Sequence, residues 1–176
     1  PVPYKESAPV ESGKMIAPYI PGKSYTYAGI YAVDQAGKAT LLREIEVEGN
    51  LRSSRKTDNY LYLVSNQYIY STDPGDITPY VRDTAVSDEA VPLTVDSIIT
   101  FHGKTSSSYM NITAIDITDP AVPSHTESLL GAGDQIYMNN NALYVAAYDY
   151  ENNTAKTSVI KFKIDGLNFG YAASGK

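Results

Sequence analysis

The sequence predicts an all-β fold built from repeated antiparallel sheets. Segments in which apolar and polar residues alternate recur along the chain, and this period of two is typical of strands. Several of these segments also return at a fixed spacing, which indicates a repeat architecture. The aromatic content points the same way, because 16 Tyr stand against 3 Phe and no Trp, and Tyr is favoured in strands.

The repeat has two spacings. Segments that match at 82 positions apart are Ile30–Asp34 with Ile112–Asp116, Gly49 with Gly131, and Leu61–Val64 with Leu143–Ala146. A further copy begins at Phe162, and its Asp165 follows Asp116 by only 49 positions. About 49 residues with four short strands is the size of one β-propeller blade. We therefore predict a partial β-propeller of about two four-stranded antiparallel blades plus part of a third.

The chain opens with a proline-rich stretch, followed by the first predicted blade. Residues 1–24 are interpreted as a linker, because proline cannot donate a ladder hydrogen bond. The chain starts at Pro1 without a Met, so we expect a processed or excised piece. The first blade covers 25–70, with strands expected at 24–34, 40–47, 51–54 and 59–66. Tyr60–Val64 is apolar on both faces, as expected of a strand that is covered on both sides.

Residues 71–96 are interpreted as an acidic loop inserted into the first blade. The two repeat spacings differ by 33 residues, roughly the length from Ser65 to Ser97. Little helix is expected anywhere, apart from short turns in this insertion. Because long loops in compact domains tend to be functional or disordered, this loop is the first place to look for a site.

The second predicted blade covers 97–150, and the start of the next blade covers 156–176. Strands are expected at 97–101, 110–117, 135–138, 142–148 and 156–165. Lys161 and Lys163 alternate with apolar residues, which indicates an exposed outer strand. Two blades and a fragment do not close a ring, so we expect further blades in a longer parent polypeptide or an association that covers strand edges.

The composition excludes several classes of function. A net charge of −6, from 14 basic and 20 acidic residues, disfavours nucleic acid as a partner. No apolar stretch reaches the roughly 20 residues that span a bilayer, so a membrane-spanning role is not expected. With no Cys and 2 His, a zinc or copper site is not expected.

Seven short motifs, in their order and spacing, resemble those of a known family. Counting the pair Ile115–Pro120 and Asn141–Val145 as one motif, they are Tyr31–Asp34, Ser53–Arg55, Asn59–Asn66, Thr78–Asp83, that pair, Ile160–Gly166 and Tyr171–Gly175. The chain resembles, over residues 27–176, the secreted bacterial and archaeal proteins with a C-terminal β-propeller domain distantly related to WD-repeat propellers. The resemblance implies a propeller, export, and a cell-surface or extracellular location. It implies no activity that transfers residue by residue.

Five side chains are the candidate binding residues. Tyr80, Arg82 and Asp83 lie in the acidic loop, whereas Arg52 and Arg55 precede the most apolar strand. The two arginines offer planar forks for a carboxylate or a phosphate. We favour the competing interpretation, in which an arginine bonds strand-end carbonyls or a neighbouring Asp and ties blades together.

No cofactor and no catalytic residue are expected. Calcium is the alternative, with Asp73 and Asp76 as candidate ligands, but their spacing matches no EF-hand loop. The chain has no Gly-x-Ser-x-Gly elbow. His102 and His125 lie in loops flanked by Gly or Pro, where we expect them to be exposed and inert.

Two recurrent features have structural explanations. Asp34, Asp116 and Asp165 each follow a strand, so we expect them to cap turns. The clustered tyrosines, among them Tyr25, Tyr27, Tyr31 and Tyr62, suit either contact surfaces or packing between blades, and we favour packing.

The sequence therefore predicts a non-catalytic, secreted or cell-surface β-propeller segment of a prokaryotic protein that acts as a protein-interaction scaffold. Three alternatives stay open: a carbohydrate- or cell-wall-binding module, part of a polysaccharide-active hydrolase whose site needs further blades, and a structural subunit that assembles through open strand edges. The expected partners are a protein or a glycan at the cell surface, or further blades of the same parent polypeptide.

Overall fold

The structure, a computed structural model, describes residues 23–69, 77–100, 107–131, 135–151 and 154–175. These residues form thirteen strands and a single-turn 3₁₀ helix at Val95–Ser97. Within the same ranges, no helix has the length and apolar character needed to cross a membrane. The predicted linker at 1–24 lies almost entirely outside the described residues.

The strands in chain order are β1 (Tyr25–Val33), β2 (Ala39–Glu48), β3 (Asn50–Thr57), β4 (Tyr60–Tyr68), β5 (Tyr80–Asp83), β6 (Ser87–Pro92), β7 (Ile98–Thr100), β8 (Ser108–Asp116), β9 (His125–Leu130), β10 (Gln135–Met138), β11 (Ala142–Glu151), β12 (Thr154–Asp165) and β13 (Asn168–Gly175). They form three sheets. Sheet A has the order β1-β2-β5-β6, sheet B has β3-β4-β8-β9-β7, and sheet C has β10-β11-β12-β13. All these neighbours pair antiparallel except β7 and β9, which are parallel.

The three sheets are stacked, with sheet B in the middle. Buried Ile45 and Val47 of sheet A meet Leu63 and Ile115 of sheet B. The opposite face of sheet B meets sheet C through a second cluster, which includes Tyr62, Val64, Met110 and Ile112 with Leu143, Val145, Ile160 and Phe162. Since successive side chains of a strand point to opposite faces, β4 and β8 pack against both neighbours. The prediction that Tyr60–Val64 is covered on both sides is confirmed.

The all-β class and the partial propeller are confirmed, but the strands are grouped differently from the predicted blades. The region 25–70 divides between sheets A and B, and 97–150 divides between sheets B and C. The repeated unit runs β3-β4-β8-β9 in sheet B and β10-β11-β12-β13 in sheet C. Gly49 and Gly131, with φ of +112° and +83°, lie where the chain leaves one sheet for the next. The matching glycines therefore mark crossings between sheets.

The predicted acidic loop at 71–96 needs correction. Its residues 80–83 and 87–92 are strands β5 and β6, and they extend sheet A, because β5 pairs with β2. The inserted length itself is present. Residues 69–107 connect β4 to β8, whereas residues 152–153 connect the corresponding β11 and β12. Strand β5 has only four residues, too few for an alternating pattern to stand out from a loop.

Two other strands were not predicted. Strand β9 carries the sequence HTESLL, and β13 carries NFGYAASG, which contains two glycines that weaken a strand signal. Pairing with β8 and with β12 holds these segments extended. A neighbour in the sheet thus overrides their weak local preference.

Candidate interaction surfaces

The five candidate residues lie on two strands of different sheets. Tyr80, Arg82 and Asp83 belong to β5 in sheet A, and Arg52 and Arg55 belong to β3, an edge strand of sheet B. Because side chains alternate along β5, Arg82 points away from sheet B while Asp83 is buried. The five residues therefore do not form one site.

Asp83 connects sheet A to sheet B. Its Oδ1 accepts a hydrogen bond of 2.7 Å from Nε of Arg43, and its Oδ2 accepts bonds from Nη2 of Arg43 and from the backbone N and Oγ of Ser124. Nη1 of Arg43 donates to the carbonyl of Val122, at 2.7 Å. Ser124 and Val122 lie in the connection between β8 and β9. The acidic residue therefore has a structural role at this junction.

The pKa of Asp83 follows from these contacts. Burial alone would raise the pKa of this carboxyl. The hydrogen bonds from Arg43, Ser124 and Ala85 more than offset that effect and lower the pKa to about 2. The carboxylate thus stays charged at ordinary pH and stays paired with a guanidinium whose side chain is 0% exposed.

Sequence reasoning missed Arg43, although a signal was present. In β2, Ile45 and Val47 face sheet B, and a period of two places Arg43 on that same inward face. An arginine at an inward strand position needs a buried anionic partner. Arg43 therefore ties sheet A to the connection between β8 and β9, a role that sequence reasoning considered only for Arg52 and Arg55.

Arg82 forms a charged network on the outer face of sheet A. Its Nη2 donates to Oε2 of Glu44 at 3.0 Å and to Oε1 of Glu46 at 2.8 Å. The hydroxyl of Tyr27 donates to Oε1 of Glu44 at 2.9 Å. Hydrogen bonds from Arg82 and then Tyr27 lower the pKa of Glu44, and the bond to Glu44 raises the pKa of Tyr27 to about 12. Two carboxylates share one guanidinium, so this group carries a net negative charge.

Tyr80 lies beside this network. Its backbone N donates to Oε2 of Glu48 at 3.2 Å, and Nζ of Lys23 lies 4.5 Å from the centre of its ring. Lys23 also approaches Oε1 of Glu48, at 3.5 Å. These contacts hold Tyr80 at the end of β5 nearest the start of β1.

The tyrosines of β1 face outward. Tyr25, Tyr27 and Tyr31 are 49%, 49% and 52% exposed, so the packing role favoured from the sequence is wrong for them. It is right for Tyr62, which is buried between sheets B and C and donates to the carbonyl of Gly166 at 2.6 Å. Of these four tyrosines, the one whose face is covered by a further sheet is the one that is buried.

Arg52 and Arg55 lie on an exposed edge strand. Every residue of β3 before Thr57 is exposed. Arg55 lines a small cleft of about 210 Å³ where sheets B and C meet, beside Tyr62 and Tyr137. The arginine forks are thus open to a partner, but they lie apart from the Arg82 network, in another sheet.

The outer face of sheet C is aromatic and basic. Tyr137 pairs with Tyr144 across β10 and β11, with ring centres 6.1 Å apart, and Lys161 lies opposite Tyr144 on β12. Nζ of Lys161 is 5.6 Å from the centre of the Tyr144 ring. Lys161 and Lys163 are exposed, but β12 lies between β11 and β13. The predicted exposure of the two lysines is confirmed, but β12 is an inner strand of sheet C, so the prediction of an outer strand is wrong.

The remaining predicted residues have structural roles or lie outside the described ranges. Oδ1 of Asp34 accepts from the backbone N of Ala36 and of Lys38, which confirms turn capping there, and Oδ1 of Asp116 does the same for Thr118. The calcium candidates Asp73 and Asp76, and also His102, lie outside the described residues. Within the described ranges, no group of three His, Asp or Glu side chains is placed to hold a metal ion.

The prediction that His125 lies in a loop is wrong, although its side chain is 43% exposed. It is the first residue of β9, and its ring packs edge-on against Phe169 with centres 5.1 Å apart. Its Nε2 is 3.3 Å from Oε1 of Glu127. The histidine therefore joins sheet B to sheet C.

Comparison with known proteins identifies the family. A family model described as a beta propeller domain matches residues 2–176. No curated protein and no solved structure matches the chain.

Proposed function

Because this chain belongs to the beta propeller domain family, we propose that it is a non-catalytic protein-interaction module, displayed outside the cell or at the cell surface. The outer faces of sheets A and C bind the partner. The observation that carries the proposal is the exposure of aromatic side chains on both of these faces. Tyr31 of sheet A is 52% exposed and Tyr137 of sheet C is 64% exposed.

Exposed tyrosines favour a binding role for these faces. Tyr buries a large area while losing little side-chain entropy, which is why it is enriched in contact surfaces. Each outer face also carries charged groups, Glu44 and Glu46 with Arg82 on sheet A and Lys161 with Lys163 on sheet C. A mixture of aromatic and charged side chains suits a protein surface of complementary charge.

Photo-crosslinking in the producing cell tests the proposal. A photoreactive phenylalanine analogue replaces Tyr27, Tyr137 or, as a control, Val95, which is 80% exposed in the 3₁₀ helix. We expect protein adducts from Tyr27 and Tyr137, and at most a weak signal from Val95. Equal or absent adducts at all three positions would contradict the proposal.

The location is tested separately. Protease treatment of intact cells removes a surface protein and leaves an internal one, and the culture medium holds a secreted one. We expect the chain in the medium or in the protease-sensitive fraction. Full protection in intact cells, with digestion after lysis, would contradict the proposed location.

A carbohydrate-binding module is the second candidate, and one observation favours it. An open groove of about 830 Å³ on sheet C is lined by asparagines 139–141, Tyr144, Lys161 and Asp165. Amide groups beside an aromatic ring are suited to sugar hydroxyls and to the apolar face of a sugar ring. A glycan array tests this candidate, with Tyr144→Ala as the matched variant. Binding that Tyr144→Ala abolishes would support it, and no binding would exclude it.

A further inference from the structure

The three sheets stack head to tail, with equivalent faces meeting at each junction. Ile30 of sheet A packs toward sheet B, and its counterpart 82 positions later, Ile112 of sheet B, packs toward sheet C. On the other side, Ile115 of sheet B faces sheet A, and its counterpart Ile164 of sheet C faces sheet B. Each sheet therefore presents one kind of face forward and another kind backward.

This arrangement leaves two open faces that correspond to the faces joined at the internal junctions, over the strands that match: β1 and β2 of sheet A match β8 and β9 of sheet B. The outer face of sheet A is of the backward kind, and Val33 there is 67% exposed, whereas its counterparts Ile115 and Ile164 are 0% and 7% exposed. The outer face of sheet C is of the forward kind. Val159 there is 44% exposed, whereas its counterpart Met110 is 1% exposed. Apolar positions that are buried at the internal junctions are thus uncovered at both ends.

The two open faces also carry opposite charge. Sheet A presents Glu44 and Glu46, which share Arg82. Sheet C presents Lys161 and Lys163, together with Asp165. The balance is one net negative charge on the first face and one net positive charge on the second. Such complementarity selects partners and orients them.

We propose that the partner of these faces is a second copy of this chain. The outer face of sheet A of one copy packs on the outer face of sheet C of the other copy. The inference rests on the proposed function, since it names the protein that the outer faces bind. The contact is heterologous, and such contacts close into a ring when the rotation allows. Two copies hold six sheets, within the range of about four to eight blades in closed propellers.

Mass in solution tests the pairing. Sedimentation of the purified chain over a range of concentrations measures it, at low and at high salt. We expect a two-chain species that dissociates more readily as salt rises, because salt screens the Glu–Lys attraction. A single-chain mass at every concentration up to about 1 mM, the limit of weak binding, would overturn the inference.

Charge reversal tests the two faces. Variant one carries Lys161→Glu with Lys163→Glu, and variant two carries Glu44→Lys with Glu46→Lys. We expect each variant alone to associate at least about tenfold more weakly than the unaltered chain. An equimolar mixture should restore the two-chain species, because each junction then joins an acidic face to a basic one. Unchanged association of both variants, or no recovery in the mixture of folded variants, would overturn the inference.

Two further variants keep the test decisive. The substitutions in variant two remove ligands of Arg82, so Val33→Arg supplies a sheet A variant that leaves the Arg82 network intact. It should also weaken association. The control Lys56→Glu lies on the exposed strand β3 of the middle sheet, makes half the change in net charge of variant one, and should associate like the unaltered chain. Circular dichroism establishes that each variant is folded.

Failure of the second-copy inference can be distinguished from failure of the proposed function. If the purified chain stays a single chain but Tyr27 or Tyr137 crosslinks to a different protein in the cell, the second copy is wrong and the interaction module stands. If the chain is single and neither position gives adducts, both proposals fail.

Discussion

Sheets B and C contain matching strands but differ in what covers them. Tyr62 and Ile112 of sheet B are 2% exposed, because sheet C packs on their face. Their counterparts in sheet C, Tyr144 and Lys161, lie on a face that no described sheet covers. The side chain at a given strand position therefore reflects whether a further sheet covers that face, while the strand pattern stays the same.

The connections differ as well. Strands β4 and β8 of sheet B are joined through β5, β6 and β7, whereas the corresponding strands of sheet C are joined by residues 152–153. The inserted strands β5 and β6 complete sheet A, and Asp83 at the end of β5 binds Arg43 and Ser124. The longer connection thus links the middle sheet to its neighbour, a link that sheet C lacks among the described residues.

The largest effect is expected from breaking that link. Asp83→Ala leaves the guanidinium of Arg43 buried without its carboxylate, which should lower the free energy of unfolding by about 3–5 kcal/mol. Urea denaturation measures the loss. Arg82→Ala removes two ion pairs near the surface, to Glu44 and to Glu46, and should cost no more than about 1 kcal/mol. Similar losses in the two variants would show that the link is unimportant.

The next largest effect is expected at Ile112 of sheet B, which is compared with the equivalent Lys161 of sheet C. Ile112→Ala creates a cavity between the two sheets and should cost about 2–5 kcal/mol of unfolding free energy. Lys161→Ala at the corresponding exposed position should stay within about 0.5 kcal/mol of the unaltered chain. Chemical denaturation of both variants checks the comparison. Both variants are compared at a dilution at which the chain is single, and a large loss for Lys161→Ala there would mean that Lys161 supports the fold of the single chain.

A pH dependence follows from Asp83. Its folded pKa of about 2 lies below its ordinary value of 3.8, so ionised Asp83 stabilises the fold above pH 4. That contribution, about 2 kcal/mol, is lost as the pH falls from 4 through 2, because the unfolded chain binds the proton first. Urea denaturation at several pH values measures the slope. Asp83→Asn should flatten the slope in this window, and an unchanged slope would assign it to other carboxyls.

The smallest effect is expected at Tyr62 of sheet B, which is compared with the matching Tyr144 of sheet C. Tyr62→Phe removes the hydrogen bond to the carbonyl of Gly166 and should cost about 0.5–1.5 kcal/mol. Tyr144→Phe, at the equivalent half-exposed position of sheet C, should change the unfolding free energy by less than about 0.5 kcal/mol. Thermal unfolding of the pair measures the difference. Equal losses of unfolding free energy in the two variants would mean that the buried hydrogen bond of Tyr62 adds no stability.

The candidate site could be predicted only in part. The spacing of Tyr25, Tyr27 and Tyr31 was enough to place these residues on one face of a strand, but not to show that the face is open. Arg82 and Asp83 were singled out together, yet neighbouring positions of a strand point to opposite faces, so one is at the surface and the other is buried. Which face is covered depends on sheets formed by distant residues.

Local patterns were sufficient for the all-β class and for the repeat, including the match of Gly49 with Gly131, because alternation and turn chemistry are properties of neighbouring residues. The grouping of strands required the folded chain. Strand β5 joins β2 rather than its nearer neighbour β4, and β8 pairs with β4 across residues 69–107. Backbone hydrogen bonds between strands are nearly independent of sequence, so partner choice comes from the burial of whole sheet faces. That burial also leaves the outer faces of sheets A and C open for a partner.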